Sequence, residues 1–266
     1  MAFDEDLELT PAGEGEWSAE ISESWWTPRG PLGGYVMAFG LRAMEAAVAD
    51  PERLPRSATV HFLRSPDAGA LTIKAAVERS GRSLTSTSCR LEQDGKVVAI
   101  GLGAYSVAWE GPLLEDSPMP AVERPDETLP PAQRPNAPKP PPFLERMDMQ
   151  HRFGEMPFTG AEHGVTGGWL GIREDRPIDA AVLAILADAW FPAPWPRLKQ
   201  LAPAPTIDLT IHFRAPLPIE GRLLLGRFTS SLVRDGFFDE DGELWAPDGT
   251  LVAQSRQLGL LLGAEA

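Results

Sequence analysis

Three polar residues in the second half of the chain have side chains suited to acid–base chemistry or to holding a water molecule. Asp188 lies in a run of apolar residues for which we expect a helix. A carboxylate in such surroundings is costly unless it is paired or hydrogen-bonded, and a carboxylate whose pKa is tuned by burial can act as a general base. In the alternative interpretation, Asp188 faces solvent or caps the turn before Pro192.

Thr206 and Gln257 are the other two, and each also has an ordinary structural explanation. Thr206 stands at the start of a predicted strand, where a β-branched residue is a good strand former. Gln257 shares one face of a later strand with Ala253 and Ser255, and a glutamine there most often faces solvent. Its amide can both donate and accept a hydrogen bond, which also suits it to position a water molecule.

A pair of glycines, Gly33 and Gly34, precedes the first predicted helix. Backbone N–H groups at the start of a helix can stabilise a developing oxyanion. Close packing of the helix on a sheet, where no side chain fits, explains the glycines equally well. The sequence leaves both interpretations open.

The elements that must position these residues occur twice. Residues 57–66 are SATVHFLRSP and residues 206–216 are TIDLTIHFRAP, and each is followed by a hairpin-like segment turning at Asp94–Gly95 or Asp248–Gly249. His61 and His212 occupy equivalent places in the two copies, which favours an architectural role at the junction of two sheets over catalysis. A spacing of about 150 residues exceeds the period of solenoid repeats, roughly 20–50 residues, and indicates a duplicated small domain.

Each copy has a helix followed by strands. Apolar residues at spacings of three and four predict a helix over 35–48, and the segment 178–191 predicts a second, opened by Pro177 and Asp179. The alternation of apolar residues predicts strands at 16–27, 58–63, 71–79, 83–93 and 96–106, and again at 206–214, 222–234, 237–246 and 250–262. Helices followed by runs of strands predict an α+β protein.

Residues 107–148 differ from both copies. Eleven prolines lie between Pro112 and Pro142, and proline cannot donate a ladder hydrogen bond. This segment is predicted to be a linker that lies over the surface.

Composition excludes several classes of protein. The formal net charge of −14 disfavours nucleic acid and anionic membranes as partners, since both require an excess of Lys and Arg. Cys89 is the only cysteine, and neither it nor His151 and His163 have the spacing of a metal site. No apolar run is long enough to span a bilayer and the N-terminal residues lack a secretory pattern, so we expect a cytoplasmic protein without metal or cofactor.

The order of these motifs resembles the acyl-CoA thioesterase II family. Its N-terminal half is similar to four motifs of this chain in order: Gly-Gly before a helix, VHFLR, GRS and QDGKVVA. Its C-terminal half is similar to three more: DAW, TIDLTIHF and LVAQSRQLGLL. The resemblance implies a double hotdog fold, in which two antiparallel sheets each wrap around a long helix and join side by side. It also implies an N-terminal hotdog domain at 1–110, the linker at 111–148 and a C-terminal hotdog domain at 149–266.

The resemblance also implies an activity and roles for the candidate residues. The family hydrolyses acyl-CoA with water activated by an Asp, a Thr and a Gln, which fall here on Asp188, Thr206 and Gln257. Gly33 and Gly34 would then hold the oxyanion or substrate. The arginines that could meet the phosphates of CoA are Arg64, Arg79, Arg82 and Arg234, and the aromatic pairs that could line the acyl tunnel, or simply be core, are Trp25–Trp26 and Trp190–Phe191.

Exposed sheet edges and the habit of the family favour a homodimer. One alternative is a double hotdog protein that binds an acyl thioester or a partner protein without catalysis. A hotdog hydratase is disfavoured because neither segment leading into a helix contains a histidine, and the sequence has no GxSxG, GxGxxG or P-loop motif.

Overall fold

The computed structural model describes residues 3–126 and 140–263. Its helices are α1 (Phe3–Asp6), α2 (Gly33–Val48) and α3 (Ala180–Leu186). The strands are β1 (Thr10–Gly13), β2 (Glu16–Ile21), β3 (Trp26–Thr27), β4 (Gly30–Pro31), β5 (Leu54–Phe62), β6 (Gly69–Ser80), β7 (Leu84–Gln93), β8 (Lys96–Ser106), β9 (Met147–Gly154), β10 (Gly164–Ile172), β11 (Thr206–Phe213), β12 (Leu224–Ser230), β13 (Val233–Arg234), β14 (Phe237–Trp245) and β15 (Leu251–Leu260).

Within the described ranges, a single antiparallel sheet of 13 strands carries both halves of the molecule. Its order is β1-β2-β6-β7-β8-β5-β11-β15-β14-β12-β10-β9, with β13 paired to β14. The two sheets expected to join side by side form one continuous sheet, because β5 and β11 are joined by backbone hydrogen bonds. The short β3 and β4 form a separate ribbon.

The two duplicated strands, β5 and β11, pair with each other about a local twofold. Thr59 lies opposite Thr210, and their hydroxyl oxygens are 2.9 Å apart. On either side, His61 lies opposite Asp208, and Ser57 lies opposite His212. Both histidines thus lie at the junction of the two halves, as their equivalent sequence positions predict.

The first helix, α2, confirms the prediction made from its apolar spacing and begins two residues earlier, at Gly33. It packs in the core against β6, β7 and β8 and, most extensively, against α3. Gly34 is required at this contact, since a Cβ there would lie 2.2 Å from the carbonyl oxygen of Ala184. The two helices therefore approach with their backbones almost in contact.

The second helix is shorter than the sequence predicts. The Asp179 carboxylate accepts a hydrogen bond from the Val182 N–H and caps α3, which ends at Leu186. The Asp188 N–H then bonds to the Ile185 carbonyl at 3.1 Å, a tighter turn that leaves the helical path. Asp188 is consequently a residue just after the helix, and the described residues of the second half contain no long helix for its strands to surround.

The remaining strands show where local sequence patterns were insufficient. The alternation that predicts the other strands does not extend to β9 and β10, because glycines interrupt it in β10 and β9 begins at the end of the proline-rich segment. The predicted strand at 222–234 divides into β12 and β13. The hairpin at Asp94–Gly95 is confirmed by the pairing of Gln93 with Lys96.

The described part of the linker, residues 107–126, has no regular secondary structure and lies partly along the second half. The indole of Trp245 donates to the Ser117 carbonyl at 3.0 Å, and that of Trp169 donates to the Glu123 carbonyl at 2.8 Å. The rest of the proline-rich segment, 127–139, lies outside the described residues, as do 1–2 and 264–266. The division of the chain at residues 110 and 148 stays a prediction.

The two halves share one apolar core. Buried side chains of α2, α3 and the inner face of the sheet form a continuous cluster from Phe3 to Ala253. Of the helices in the described ranges, none is long and apolar enough to cross a membrane.

Candidate active site

The site is centred on Asp188, where the end of α3 meets the beginning of α2. Asp188 Oδ2 accepts a hydrogen bond of 2.8 Å from the backbone N–H of Gly34. A Cβ on Gly33 would lie 3.0 Å from the same oxygen and 3.2 Å from the ring of Phe62. The carboxylate from the second half is therefore enclosed by the start of α2 and the end of β5, both from the first half.

Burial changes the acidity of Asp188. Desolvation raises the pKa of this carboxyl to about 7, while the N–H groups of Gly34 and Gly33 act in the opposite direction by stabilising its charged form. A carboxyl with a pKa near 7 takes up and releases protons near neutral pH, which is the requirement for a general acid or base. Its side chain is not fully enclosed and keeps partial exposure to solvent.

The glycine pair contacts Asp188, and its predicted role in holding an oxyanion or substrate stays a prediction. The Gly34 N–H is already bonded to Asp188, and the absence of a Cβ on both glycines allows the carboxylate and α3 to approach. Gly33 and Gly34 thus position Asp188, and the packing explanation of these residues accounts for what is observed.

Thr206 and Gln257 are joined directly. The Thr206 hydroxyl donates to Gln257 Oε1 at 2.7 Å, across the pairing of β11 with β15. Gln257 is buried, with 8% of its surface exposed, so it does not face solvent as a typical strand glutamine would. The structure therefore brings together two of the three residues predicted to hold water.

A fourth polar residue, Glu240 on β14, was missed by the sequence reasoning. Gln257 Nε2 donates to Glu240 Oε1 at 2.6 Å, and Ala193 N–H donates to Glu240 Oε2 at 2.5 Å. The residue is 3% exposed, between inward-facing Phe238 and Gly242 on the same strand. Its position in the alternation of β14 was the available clue, because it places a carboxylate on the core side.

The charge of Asp188 contributes to the raised pKa of Glu240. Burial raises the pKa of Glu240 to about 8, hydrogen bonds from Ala193 and Gln257 oppose the rise, and the negative charge of Asp188 adds to it. The two carboxyl groups thus belong to one electrostatic unit, with the Thr206–Gln257 pair attached to it.

The corresponding positions of the first half lack these polar groups. In the second half, Gln257 lies opposite Leu209 on one neighbouring strand and Glu240 on the other. The matching residue of the first half is Gly103 on β8, which lies opposite Ala58 and Thr87. A side chain at Gly103 would meet Thr87, Tyr105 and Met44 within about 3 Å. In the first half, the place that corresponds to Gln257 is therefore filled by core side chains.

The four predicted CoA arginines lie at opposite ends of the sheet. Arg64 lies at the Asp188 end, just beyond Phe62 of β5, and donates to the Val97 carbonyl. Arg234 lies at the same end on β13, which pairs with β14, and β14 in turn pairs with the end of β15 near Thr206. Arg79 and Arg82 lie near the start of β5. At about 3.3 Å per residue, the nine residues of β5 separate the two ends by about 26 Å. The structure does not bring Arg79 and Arg82 to the Asp188 end.

The aromatic pairs have different surroundings. Trp25 is fully buried among Phe3 and Tyr35 and is part of the core. Trp190 and Phe191 come two and three residues after Asp188, and both stack on His151. Only the second pair is next to the site.

The site coincides neither with a metal cluster of the described residues nor with the cavity on the first half. In the described part of the chain, no three His, Cys, Asp or Glu side chains are arranged to hold a metal ion. A cavity of about 1,100 Å³ opens near Trp17, Lys74 and Arg90 on the first half, and its lining includes none of Asp188, Thr206, Gln257 and Glu240.

Comparisons with known proteins agree with this architecture. A hotdog protein of unknown function from Alicyclobacillus acidocaldarius superposes with a TM-score of 0.87 at 28% identity, covering 100% of this chain and 98% of that one. A Thermobifida fusca protein provisionally named thioesterase II has a TM-score of 0.80 at 27% identity and 97% coverage of both chains.

Sequence relatives extend along the same length. An uncharacterized protein of Mycobacterium tuberculosis is 25% identical over 279 aligned positions, covering 91% of this chain and 89% of that protein. Family models for the acyl-CoA thioesterase N-terminal domain and C-terminal domain match residues 22–106 and 125–261. With its hotdog architecture and both domain types in one polypeptide, the chain belongs to the acyl-CoA thioesterase family.

Proposed function

We propose that this protein hydrolyses an acyl-CoA thioester to a free acid and CoA, using water activated by Asp188, Thr206 and Gln257. The observation that carries the proposal is the Asp188 carboxylate. Burial raises its pKa to about 7, and the Gly34 N–H holds it in place. Membership of the acyl-CoA thioesterase family supports the choice of substrate class.

The hydrogen bonds of Thr206 and Gln257 leave one acceptor and one donor free to bind a water molecule. The Thr206 hydroxyl gives its hydrogen to Gln257 Oε1, so its lone pairs can accept a hydrogen from water. Gln257 Nε2 gives one hydrogen to Glu240 and retains a second. In our proposal, water donates one hydrogen to Thr206 and one to Asp188 and accepts the remaining hydrogen of Gln257.

The reaction is a direct hydrolysis. Ionised Asp188 takes a proton from water as the water oxygen bonds to the thioester carbonyl carbon. The tetrahedral intermediate then collapses, the carbon–sulfur bond breaks, and the CoA sulfur leaves as thiolate and receives the proton held by Asp188, which is ionised again. No covalent enzyme intermediate is needed, since a thiolate is a good leaving group.

The placement of the arginines favours Arg64 and Arg234 as groups that meet the phosphates of CoA, because both lie at the Asp188 end. We also propose a homodimer, since β1 and β9 leave open edges on the described sheet. Sedimentation or light scattering of the purified protein tests this assembly.

The test is a thiol-release assay over acyl-CoA substrates from short to long acyl chains. We expect hydrolysis of at least one chain-length class and a loss of roughly two to four orders of magnitude in kcat for Asp188→Asn. A non-hydrolysable acyl-CoA analogue should bind the wild type and the variant equally.

An absence of thiol release from the whole panel would contradict the proposal. Binding of the analogue without hydrolysis would favour the alternative, a hotdog protein that binds acyl thioesters without cleaving them. A rate unaffected by Asp188→Asn would exclude this residue as the base.

A further inference from the structure

Glu240 determines which way the Gln257 amide faces. The oxygen and nitrogen of a glutamine amide have similar shapes, so its orientation follows from its partners. Gln257 Nε2 donates to Glu240 Oε1 at 2.6 Å, so the nitrogen of the amide faces Glu240. Gln257 Oε1 is thereby turned toward Thr206, whose hydroxyl donates to it.

Glu240 is itself fixed by its surroundings. Its second oxygen accepts the Ala193 N–H, and the side chain is almost fully buried. Burying a carboxylate is costly even when it is hydrogen-bonded. A residue whose only task was to fill this place in the core would do so better as a leucine or methionine.

We propose that Glu240 is a positioning residue for the hydrolysis, acting through Gln257 on Thr206. It holds the amide so that the Thr206 hydroxyl points its hydrogen away from the substrate and its lone pairs toward water. The inference rests on the proposed thioesterase function and adds to it a fourth residue, from a strand that neither Asp188 nor Thr206 occupies.

The proposal predicts the effect of replacing the carboxylate with an amide of the same shape. In Glu240→Gln, the new side chain cannot accept from both Ala193 and Gln257, because it has only one oxygen. If that oxygen keeps Ala193, its nitrogen faces Gln257, whose amide must flip and present nitrogen to Thr206. The Thr206 hydroxyl must then accept where it now donates.

Kinetics of Glu240→Gln test the role. We expect kcat to fall at least about tenfold, with KM changed by less than about threefold, since binding does not involve Glu240. The matched control is Asp241→Asn, one residue along on the outer face, where the carboxylate pairs with exposed Arg256. Its kcat and KM should stay within about twofold of the wild type.

A double-mutant cycle separates positioning from a general structural role. If Glu240 acts through Gln257, adding Glu240→Gln to Gln257→Ala should have almost no further effect on kcat. If the double variant instead loses kcat by the product of the two single-variant losses, the proposal is overturned. Thermal unfolding of each variant establishes that it is folded.

A readout independent of activity distinguishes failure of this inference from failure of the proposed function. In the wild type, NMR should show one Gln257 side-chain amide proton shifted downfield by the carboxylate, and Glu240→Gln should remove the shift. An inactive wild type would overturn the thioesterase assignment and the catalytic role of Glu240 with it. An active wild type with an unchanged amide signal and kcat in Glu240→Gln would overturn only this inference.

Discussion

Gly34 and Asp188, 154 positions apart in the chain, are joined by a 2.8 Å hydrogen bond from the glycine N–H to the carboxylate. The bond connects the first turn of α2 with the residue that follows α3. One half of the molecule thus supplies the amide and the other the carboxylate, so the proposed base is in place only when the two halves are packed together.

The pH dependence of hydrolysis should follow the ionisation of Asp188. Because burial raises its pKa to about 7, the carboxyl is mostly protonated at pH 6 and cannot accept a proton from water. We expect kcat/KM at pH 6 to be about tenfold below its plateau above pH 8. A profile measured from pH 5 to 9 and flat across neutrality would contradict the assignment of this residue.

Asp188→Asn should stabilise the fold while abolishing activity. The folded-state pKa of about 7 lies above the unfolded value of about 3.9. The cost of burying the carboxylate therefore accumulates between about pH 4 and 7 and is fully present above pH 7. At pH 8 the Tm of Asp188→Asn should exceed that of the wild type by about 2–4 °C for each kcal/mol of burial cost that the substitution removes. Near pH 4 the two Tm values should be equal. A lower Tm at pH 8 would count against this account.

Thr206→Val removes the hydroxyl and keeps the shape and strand propensity of the side chain. We expect kcat to fall about tenfold to a hundredfold, while Thr206→Ser retains most of the activity. Thr210→Val is the matched control, since this threonine of the same strand bonds to Thr59. Equal rates for the two valine variants would remove Thr206 from the mechanism.

Gly34→Ala should damage the site through the backbone. The new Cβ would lie 2.2 Å from the Ala184 carbonyl oxygen and 2.8 Å from Ile185 Cα, so α2 and α3 must separate. Overpacking of this kind costs about 1–3 kcal/mol, and the Gly34–Asp188 bond should lengthen. Calorimetry and thiol release should both show a loss, whereas Gly111→Ala, where a Cβ has open space, should behave as wild type.

Arginine variants should divide according to the end of the sheet on which they lie. We expect Arg64→Ala and Arg234→Ala to raise the KM for acyl-CoA about threefold to tenfold, and more strongly at low salt. Arg79→Ala and Arg82→Ala, about 26 Å away along β5, should leave KM unchanged. The opposite pattern would place the phosphates of CoA at the other end of the molecule.

Much of the architecture is determined by local sequence. The duplicated VHF and IHF strands, the apolar spacing of α2 and the Asp94–Gly95 turn depend on neighbouring residues, so their patterns are visible in the chain itself. The types of three candidate residues were also visible, although their assignment to chemistry needed the family resemblance.

Tertiary structure decided how those residues are used. α3 ends early because the chain turns at Asp188 to pack against α2, and the glycine N–H predicted for an oxyanion binds the carboxylate. Glu240 gained its importance from strand pairing, which sets it opposite Gln257. Periodicity reports which face of an element is buried; which side chains meet across that buried face depends on contacts between residues far apart in the chain, and only the folded structure fixes them.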